Sequence, residues 1–318
     1  MIALIARRVC GFVFAMFAAA AAIFVLLNLL PGDPAAVMLG LNAPPETVAA
    51  LRQELGLDQS LWVRFVTWLA GLLHGDMGMG LTYRVPIAGL IFERMKVTLP
   101  LSLLALFFTL LPGLCLGIYT ALRARKGDDV IIRFISQLML SVPNFWMGLL
   151  LILIFAIQLH WFPAGGFAGW NAGFWMGMKS LILPSLALAI TQAAILLQIM
   201  RASLLDVLSE PYMRTARAKG LRQLTSLYRH ALRNAFAPVI TLLGLQLTFL
   251  LTGVVVIENV FALPGIGRLI FQAVSQHDLP VVQNLILVFV AIILCVHFIL
   301  DLLSIWIDPR LRRPRTAQ

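Results

Sequence analysis

Residues 201–237 read RASLLDVLSEPYMRTARAKGLRQLTSLYRHALRNAFA, a polar stretch that lies between two long apolar runs. The stretch holds seven of the chain's 24 lysines and arginines, namely Arg201, Arg214, Arg217, Lys219, Arg222, Arg229 and Arg233. Each such charge would cost about 2.5–3.5 kcal/mol at the centre of a bilayer. We therefore predict that the stretch lies in water and that a membrane-spanning helix flanks it on each side.

Local signals within this stretch predict a helix, a turn and a second helix. Ser209 is expected to cap the first helix, and Pro211 suits its first turn. Gly220 is expected to end that helix, and Pro238 to stop or kink the second one. The second helix should turn one apolar face inward, formed by Leu224, Leu227, Tyr228, Ala231, Leu232 and Ala235. A short helix on a tight turn between two spans is a rigid projection that another protein could push.

The composition indicates a membrane protein with several spans. The chain has 318 residues, of which 61% are hydrophobic and 12% are charged, and its mean hydropathy is +0.94. Its net charge of +10 reflects positive residues gathered on one side of the membrane rather than nucleic-acid binding. Three cysteines in apolar runs lack CxxC spacing, so we expect buried thiols and no disulfide or metal site: Cys10, Cys115 and Cys295.

Six apolar stretches reach the length of about 20 residues that a membrane-spanning helix needs. We therefore predict an all-α polytopic membrane protein with its polar stretch between the fourth and fifth spans, the spans being residues 9–30, 97–122, 134–159, 181–200, 238–257 and 285–307. The first is interpreted as a retained span, since it is long for a signal peptide and no small-x-small cleavage site follows it. We divide the chain into residues 1–96, a span with a long external loop, and residues 97–318, a five-helix core.

The distribution of positive charge gives the orientation. With the amino terminus inside, 17 of the 24 lysines and arginines face the cytoplasm, together with both termini and the polar stretch. In the first external loop we predict a short helix from Pro45 that ends at Gly56. A second helix, Leu61–Leu73, is expected to lie along the outer interface or to dock an external protein. The second loop, 160–180, is aromatic and indicates an interfacial belt or an external mouth. The third, 258–284, predicts a turn followed by a short helix.

Several kinds of chemistry find no support in the sequence. The Gly-Lys dipeptide of a phosphate-binding loop does not occur, and no catalytic triad or metal-ligand spacing is present. The first five predicted spans contain no Asp, Glu, Lys, Arg or His, and only His297 and Asp301 interrupt the sixth. Proton-driven transporters need ionisable relays within the membrane. We therefore expect no catalytic site, no cofactor and no metal in this chain, and an energy source outside the bundle.

Seven short blocks, taken in order, resemble the membrane permease subunits of bacterial ABC importers for dipeptides, oligopeptides and nickel. The resemblance covers nearly the whole chain. The blocks are LPGDPA at 30–35, SVPNFW at 141–146, IENVF at 257–261, PGIGR at 264–268, DLPVVQ at 278–283, DLL at 301–303 and DPRLR at 308–312.

The polar stretch carries the most specific part of this resemblance. Permeases of ABC importers have a cytoplasmic loop with Glu-Ala-Ala, three residues and a glycine, followed by a second helix. Here RTARAKG at 214–220 and RHALRNA at 229–235 are similar to the peptide and nickel branch of the family. The resemblance implies contact with an ATP-hydrolysing subunit through Glu210, Arg214, Thr215, Ala216, Arg217, Ala218, Lys219, Gly220, Arg229 and His230. We also expect Gly220→Val to uncouple ATP hydrolysis from uptake while the protein still inserts, because a β-branched residue resists a positive φ.

The resemblance also implies an assembly. Two ATP-binding subunits would carry ATP and Mg²⁺, a second similar permease would share the pore, and a periplasmic or lipoprotein binding protein would deliver the substrate. An external gate or binding-protein contact is expected at Glu258, Asn259, Pro264, Gly265 and Asp278. The substrate is expected to be a di- or oligopeptide, with nickel, a metallophore complex or glutathione as alternatives. A stand-alone channel or secondary transporter, and an assembly factor without transport, are rival interpretations from other classes.

Overall fold

The computed structural model describes residues 2–29, 34–39, 44–54, 56–219 and 223–307. Within these ranges the regular structure is helical, and the only β pairing is an isolated bridge between Met79 and Pro86. This confirms the predicted all-α class. The amino-terminal part contains α1 (Ile2–Leu29), α2 (Pro34–Leu39), α3 (Pro45–Glu54) and α4 (Leu61–Leu73).

The remaining helices follow in order along the chain. They are α5 (Ile87–Leu122), α6 (Gly127–Leu140), α7 (Asn144–Leu151) with a π-helical continuation (Ile152–Gln158), α8 (Phe174–Ser209), α9 (Pro211–Ala218), α10 (Gln223–Ser226) with a π-helical turn (Leu227–Ala231), α11 (Leu232–Val260), α12 (Ile266–Ser275) and α13 (Leu279–Ile307).

Among the described residues, five helices are long and apolar enough to cross a membrane, and a sixth crossing is formed if one bent pair counts as a single span. The bent pair lies where we predicted the third span, residues 134–159. Helices α6 and α7 meet there at 104°. Proline at position 143 has no N–H to donate, and it disfavours the helical conformation of Val142 before it. The chain therefore leaves α6 after Leu140 and starts again at Asn144.

Two other spans are longer than predicted. Helix α5 begins at Ile87 rather than at residue 97, and α8 runs from Phe174 to Ser209 rather than over 181–200. The added turns contain charged residues such as Glu93, Lys179 and Asp206. Hydropathy marks only the part of a helix that lies in hydrocarbon, whereas backbone hydrogen bonding continues beyond it. Helix α8 therefore continues beyond its apolar part and ends within the polar stretch.

The chain forms two compact units, whose boundaries fall inside α5 and α13. Among the described residues, one unit comprises 99–263 and 296–307, and the other comprises 2–98 and 264–295. Our division at residue 97 placed 264–295 with the core, whereas these residues pack with the amino-terminal part. The functional division of the chain into two domains stays a prediction.

Helix α8 is the centre of the first unit, where it packs against α6, α7, α9 and α11. Its approach to α5 depends on two glycines. A Cβ atom added at Gly117 would lie 2.7 Å from Met200 Cβ and 2.9 Å from the Leu197 carbonyl oxygen, and one at Gly113 would lie 3.0 Å from Leu196 Cβ. Small residues one turn apart allow membrane helices to pack at short distance. Both glycines thus act as packing sites between α5 and α8.

The second unit is built around aromatic and branched side chains. The Phe65 ring of α4 lies 5.2 Å from that of Phe24 in α1, and Trp68 stacks on Phe24 at 6.0 Å. Trp68 Nε1 also donates to Asn284 Oδ1 at 3.3 Å. Helix α4 forms where it was predicted, and one of its tryptophans packs inside the unit whereas Trp62 is 70% exposed. The placement of α4 at the membrane interface stays a prediction.

Several smaller predictions can be compared with the structure. Helix α3 begins at Pro45, and Gly56 has the left-handed φ of +65° that suits a helix end. Helix α12 follows the Pro-Gly turn of the third loop as expected. The expectation of buried thiols is wrong, because Cys10, Cys115 and Cys295 are free and exposed on the protein surface. In a membrane protein apolar side chains need no protein cover, since lipid surrounds them.

Candidate coupling surface

The polar stretch begins with a sharp break between α8 and α9. Ser209 is the last residue of α8, and its hydroxyl donates to the Asp206 carbonyl at 2.7 Å, so our prediction that it caps the next helix is wrong. Glu210 occupies the break with an extended ψ of 144°. Its carbonyl accepts the Met213 N–H at 3.0 Å, and Pro211 starts α9 as predicted. A proline here costs no hydrogen bond, because first-turn N–H groups have no partner within the helix.

Met213 anchors α9 to the bundle. Its side chain is 1% exposed and lies in a buried cluster with Leu204 of α8 and with Leu227 and Ala231 of the following π-helical turn. The Ser226 hydroxyl approaches its sulfur at 4.0 Å. Burial of a methionine side chain stabilises by about 1.5–3 kcal/mol, which is much for a helix of eight residues. Sequence reasoning missed this residue, although it is the apolar position between Pro211 and the RTARAKG block.

The second half of the stretch packs its apolar face into the same cluster. Leu227, Ala231, Leu232 and Ala235 are all at most 9% exposed, which confirms their predicted place in the core. Tyr228 was predicted with them and is instead 70% exposed. It is adjacent to Leu227, about a quarter turn around the helix, and the π-helical turn over Leu227–Ala231 keeps it outside.

Polar contacts hold α9 and α11 in fixed register. Asn234 Nδ2 donates to the Tyr212 hydroxyl at 2.9 Å, and the Ser203 hydroxyl of α8 donates to the Ala235 carbonyl at 2.8 Å. Helix α11 then runs through Pro238, so the predicted stop at that residue is wrong, and the alternative, a kink, stays a prediction. Helices α8, α9 and α11 are thus connected both by apolar packing and by side-chain hydrogen bonds.

The predicted coupling residues fall into two groups. Glu210, Thr215, Ala218 and Lys219 are exposed, and the Thr215 hydroxyl is held by the Pro211 carbonyl at 3.2 Å. The structure places Arg214, Ala216 and Arg217 in α9 and Arg229 and His230 in the π-helical turn, whereas their side chains, and Gly220 as a whole, lie outside the described residues. Their contact with an ATP-hydrolysing subunit stays a prediction.

A buried ion pair next to this surface was not predicted. Asp129 in the first turn of α6 is fully buried, and Arg201 of α8 binds it through two hydrogen bonds, Nε to Oδ1 at 2.8 Å and Nη2 to Oδ2 at 2.9 Å. Arg133 Nε adds a third at 3.2 Å, and the Arg125 backbone N–H a fourth at 3.0 Å. Such paired bonds to one carboxylate fix geometry as well as charge.

This network ties α6 to α8 at the point where α8 enters the polar stretch. A sequence signal for it existed. Asp128 and Asp129 are the only acidic residues among the four basic residues Arg123, Arg125, Lys126 and Arg133. An acidic pair inside a basic loop needs a structural reason, and pairing with the basic residue that opens the polar stretch provides one.

The predicted external residues are mostly part of the packing. Glu258 and Gly265 are buried, and Asn259 and Pro264 are half-buried. Asp278 is 1% exposed and caps α13, since its Oδ1 accepts the Val281 N–H at 3.3 Å and its Oδ2 accepts the Thr82 N–H at 2.8 Å. A buried carboxylate that holds two backbone amides is not available for direct contact with another protein in this structure. The role of these five residues in a gate stays a prediction.

The described residues contain no group of three or more His, Cys, Asp or Glu side chains that could hold a metal ion. Helix α9 and the π-helical turn are exposed on one side and anchored on the other. A force applied to the exposed side would reach α8 and α11 directly.

Comparisons with known proteins agree with this architecture. Residues 113–313 match the family model of the binding-protein-dependent transport system inner membrane component, and residues 1–107 match the model of its amino-terminal part. A peptide transport system permease protein of Brucella abortus (strain 2308) is 39% identical over 98% of this chain and 99% of its own length. The glutathione transport system permease protein GsiC of Escherichia coli (strain K12) is 37% identical over 96% of this chain and 97% of its own length.

A solved structure supports the fold alone. A chain of the MetNI methionine ABC transporter in an inward-facing conformation superposes with a TM-score of 0.57 at 16% sequence identity, covering 69% of this chain and 96% of that one.

Proposed function

The chain belongs to the family of inner membrane components of binding-protein-dependent transport systems, and we propose that it forms half of the pathway of an ATP-driven peptide importer. It is a transport permease with several membrane spans. Two relatives that match nearly its whole length are named for the transport of peptides and of glutathione, which is itself a tripeptide. A peptide is therefore the substrate class we propose, with glutathione as a member of that class. Nickel and metallophore complexes are less well supported.

The proposed coupling rests on one observation, namely that α9 is anchored to the protein core on one side and exposed on the other. An eight-residue helix is too short to be stable alone. Here Met213 inserts into the core that α8 and α11 share, while Thr215, Ala218 and Lys219 remain exposed. We propose that an ATP-binding subunit docks on this exposed side. ATP binding and hydrolysis, with Mg²⁺, would take place on two such partner subunits, and movement of α9 would tilt α8 and α11.

The remaining parts of the proposal follow from this docking. A second permease of the same kind would complete the pathway, and an external binding protein would deliver the peptide to the opposite membrane face. Positive charge favours the cytoplasm for both termini and for α9. A stand-alone channel or secondary transporter would leave the anchored, exposed α9 without a purpose.

Reconstitution tests this function directly. Proteoliposomes should take up a radiolabelled peptide only when they contain this chain, a second permease, the ATP-binding subunits, the binding protein and ATP. Omission of the ATP-binding subunits should abolish uptake. Uptake by this chain alone would overturn the proposal in favour of a stand-alone transporter. Mass spectrometry of the ligand that copurifies with the binding protein should identify a peptide, and a metal complex would refute the substrate class.

A further inference from the structure

An apolar groove runs along the first compact unit between α5, α6 and α8. It has a volume of about 320 Å³ and is lined by Phe108, Leu116, Ile132, Met139, Leu186 and Leu197, among others. The groove is open along one side, where Leu116 is 40% and Ile135 49% exposed. We propose that this groove holds one acyl chain of an anionic phospholipid, whose headgroup lies at the basic end of the groove.

The length of the groove matches one membrane leaflet. Its lining along α8 extends from Leu186 to Leu197, which is about 16 Å at a rise of 1.5 Å per residue. The hydrocarbon core of a bilayer is about 30 Å thick, so one leaflet accounts for about 15 Å. A path for a transported solute would have to cross both leaflets, whereas this groove is only about as long as one leaflet is thick. An acyl chain of a single lipid fits these dimensions.

Polar side chains from all three helices lie one turn beyond one end of the groove. Continuing each lining row by one turn leads from Leu116 to Tyr119 on α5, from Ile132 to Asp128 and Asp129 on α6, and from Leu197 to Arg201 on α8. The Tyr119 hydroxyl donates to Asp128 Oδ2 at 2.7 Å, and Asp129 accepts from Arg201 at 2.8 Å. The groove therefore ends at a polar level of the kind that a lipid headgroup occupies.

The charge at this end is positive. Residues 119–133 and Arg201 contribute five cationic side chains and two carboxylates. Arg123 and Arg133 keep 49% and 45% of their side chains exposed, although each contacts one carboxylate. Basic sites at the end of a cleft between membrane helices attract anionic headgroups, at about 1 kcal/mol for each cation near the surface. A phosphatidylglycerol headgroup fits this charge, and a zwitterionic one gains less.

Native mass spectrometry of the assembled transporter tests this proposal. The complex is exchanged into nanodiscs of equal phosphatidylglycerol and phosphatidylcholine, and retained lipids are counted after release. The wild type should retain phosphatidylglycerol in preference to phosphatidylcholine. Arg123→Gln should reduce that preference about fivefold, which corresponds to the ~1 kcal/mol of one cation. Lys179→Gln, near the start of α8, is the matched control and should leave the preference unchanged.

A second pair of variants tests the groove itself. Ile135→Trp places a large ring over the open side and should remove the retained lipid, whereas Ile131→Trp, at a 60% exposed position of the same helix outside the lining, should not. Equal retention by these two variants would overturn the proposal, and so would equal retention of both lipids by the wild type. Displacement of the lipid by excess peptide would assign the groove to the transport pathway. If the wild type retains no lipid and the Ile135→Trp complex loses the second permease, the groove would instead be assigned to a contact between the two permeases.

Discussion

Truncation of Met213 to alanine should detach α9 from the bundle while the membrane helices stay folded. Met213 is 1% exposed and lies in the cluster that contains Leu204, Leu227 and Ala231. The helix it anchors has eight residues and no N-terminal side-chain cap at Ser209. Such a helix depends on tertiary packing for its order. Loss of the anchor should therefore affect this segment first.

The size of the effect follows from the atoms removed. The substitution deletes three non-hydrogen atoms, which at about 0.8 kcal/mol per methylene-sized group gives about 2.4 kcal/mol of lost burial. A residual cavity adds to this, and measured Met→Ala changes in cores span about 2–5 kcal/mol. We expect about 3 kcal/mol, which raises the detached fraction of α9 roughly 100-fold.

Two measurements on the reconstituted transporter check this expectation. Amide hydrogen exchange should accelerate in residues 211–219 and remain unchanged in the middle of α8. The number of peptides imported for each ATP hydrolysed should fall, since the docking surface is no longer rigid. Met176→Ala is the matched control, because Met176 is 61% exposed on α8. Met213→Leu, which conserves volume at a cost below about 1.5 kcal/mol, should retain most of the coupling.

The reasoning would be refuted by a Met213→Ala transporter whose amide exchange and coupling ratio equal those of the wild type. It would also be refuted if Met176→Ala had the same effect, since the loss would then not depend on burial. A variant that fails to insert would be recognised by loss of the complex on gel filtration. In that case Met213→Leu and Met213→Val still test the anchor, because amide exchange should be faster and the coupling ratio lower for the smaller valine side chain than for leucine.

Three further substitutions test other contacts. Asp129→Ala should lower the unfolding temperature of the complex in detergent, because breaking a buried ion pair costs about 3–5 kcal/mol. The double variant Asp129→Asn/Arg201→Gln should lose less stability than the sum of its two single variants. Additive losses of stability would contradict the pairing. Gly117→Ala should destabilise the folded protein by about 1–3 kcal/mol, because the new Cβ would lie 2.7 Å from Met200 Cβ. Gly11→Ala is the control and should not destabilise it, because its Cβ would meet nothing within 4 Å. Equal shifts of the unfolding temperature in the two variants would contradict close packing at Gly117. Asp278→Ala should lower stability by about 1 kcal/mol through the lost helix cap and should speed hydrogen exchange at the Thr82 and Val281 amides. Asp278→Asn should retain the cap. Unchanged exchange in the alanine variant would contradict the role of Asp278 as a cap.

The positions of the membrane helices could be predicted from sequence because hydrophobic length decides them. Their ends could not, since charged turns such as those with Glu93 and Lys179 extend helices beyond the apolar run. The bend at Pro143 was visible as a proline in a span. Its angle depends on how α6 and α7 each pack on α8, which is a tertiary property.

The location of the candidate site could be predicted from sequence more readily than the buried contacts that hold it in place. The basic stretch and Pro211 indicated a short helix on the membrane surface, and the structure has that helix. Met213 and Asp129 act through partners that are distant in sequence, namely Leu227 and Arg201. Local patterns can mark one member of such a pair, as the acidic pair in the basic loop marks Asp129, but they do not identify its distant partner. Tyr228 was misplaced because a π-helical turn does not follow the 3.6-residue period from which its burial was predicted.

The most direct test of the account asks which protein touches α9. In a chain whose three cysteines are replaced by serine, Thr215→Cys places one thiol on the exposed side of α9, and Ser275→Cys places one at the exposed end of α12 as the control. The purified chain is labelled at this single thiol with a benzophenone maleimide, assembled with its partner subunits and irradiated, so that the benzophenone inserts into a C–H bond of the nearest protein. The account predicts a crosslink from position 215 to the ATP-binding subunit and none from position 275. Absence of the crosslink at position 215, or an equal yield from both positions, would contradict it.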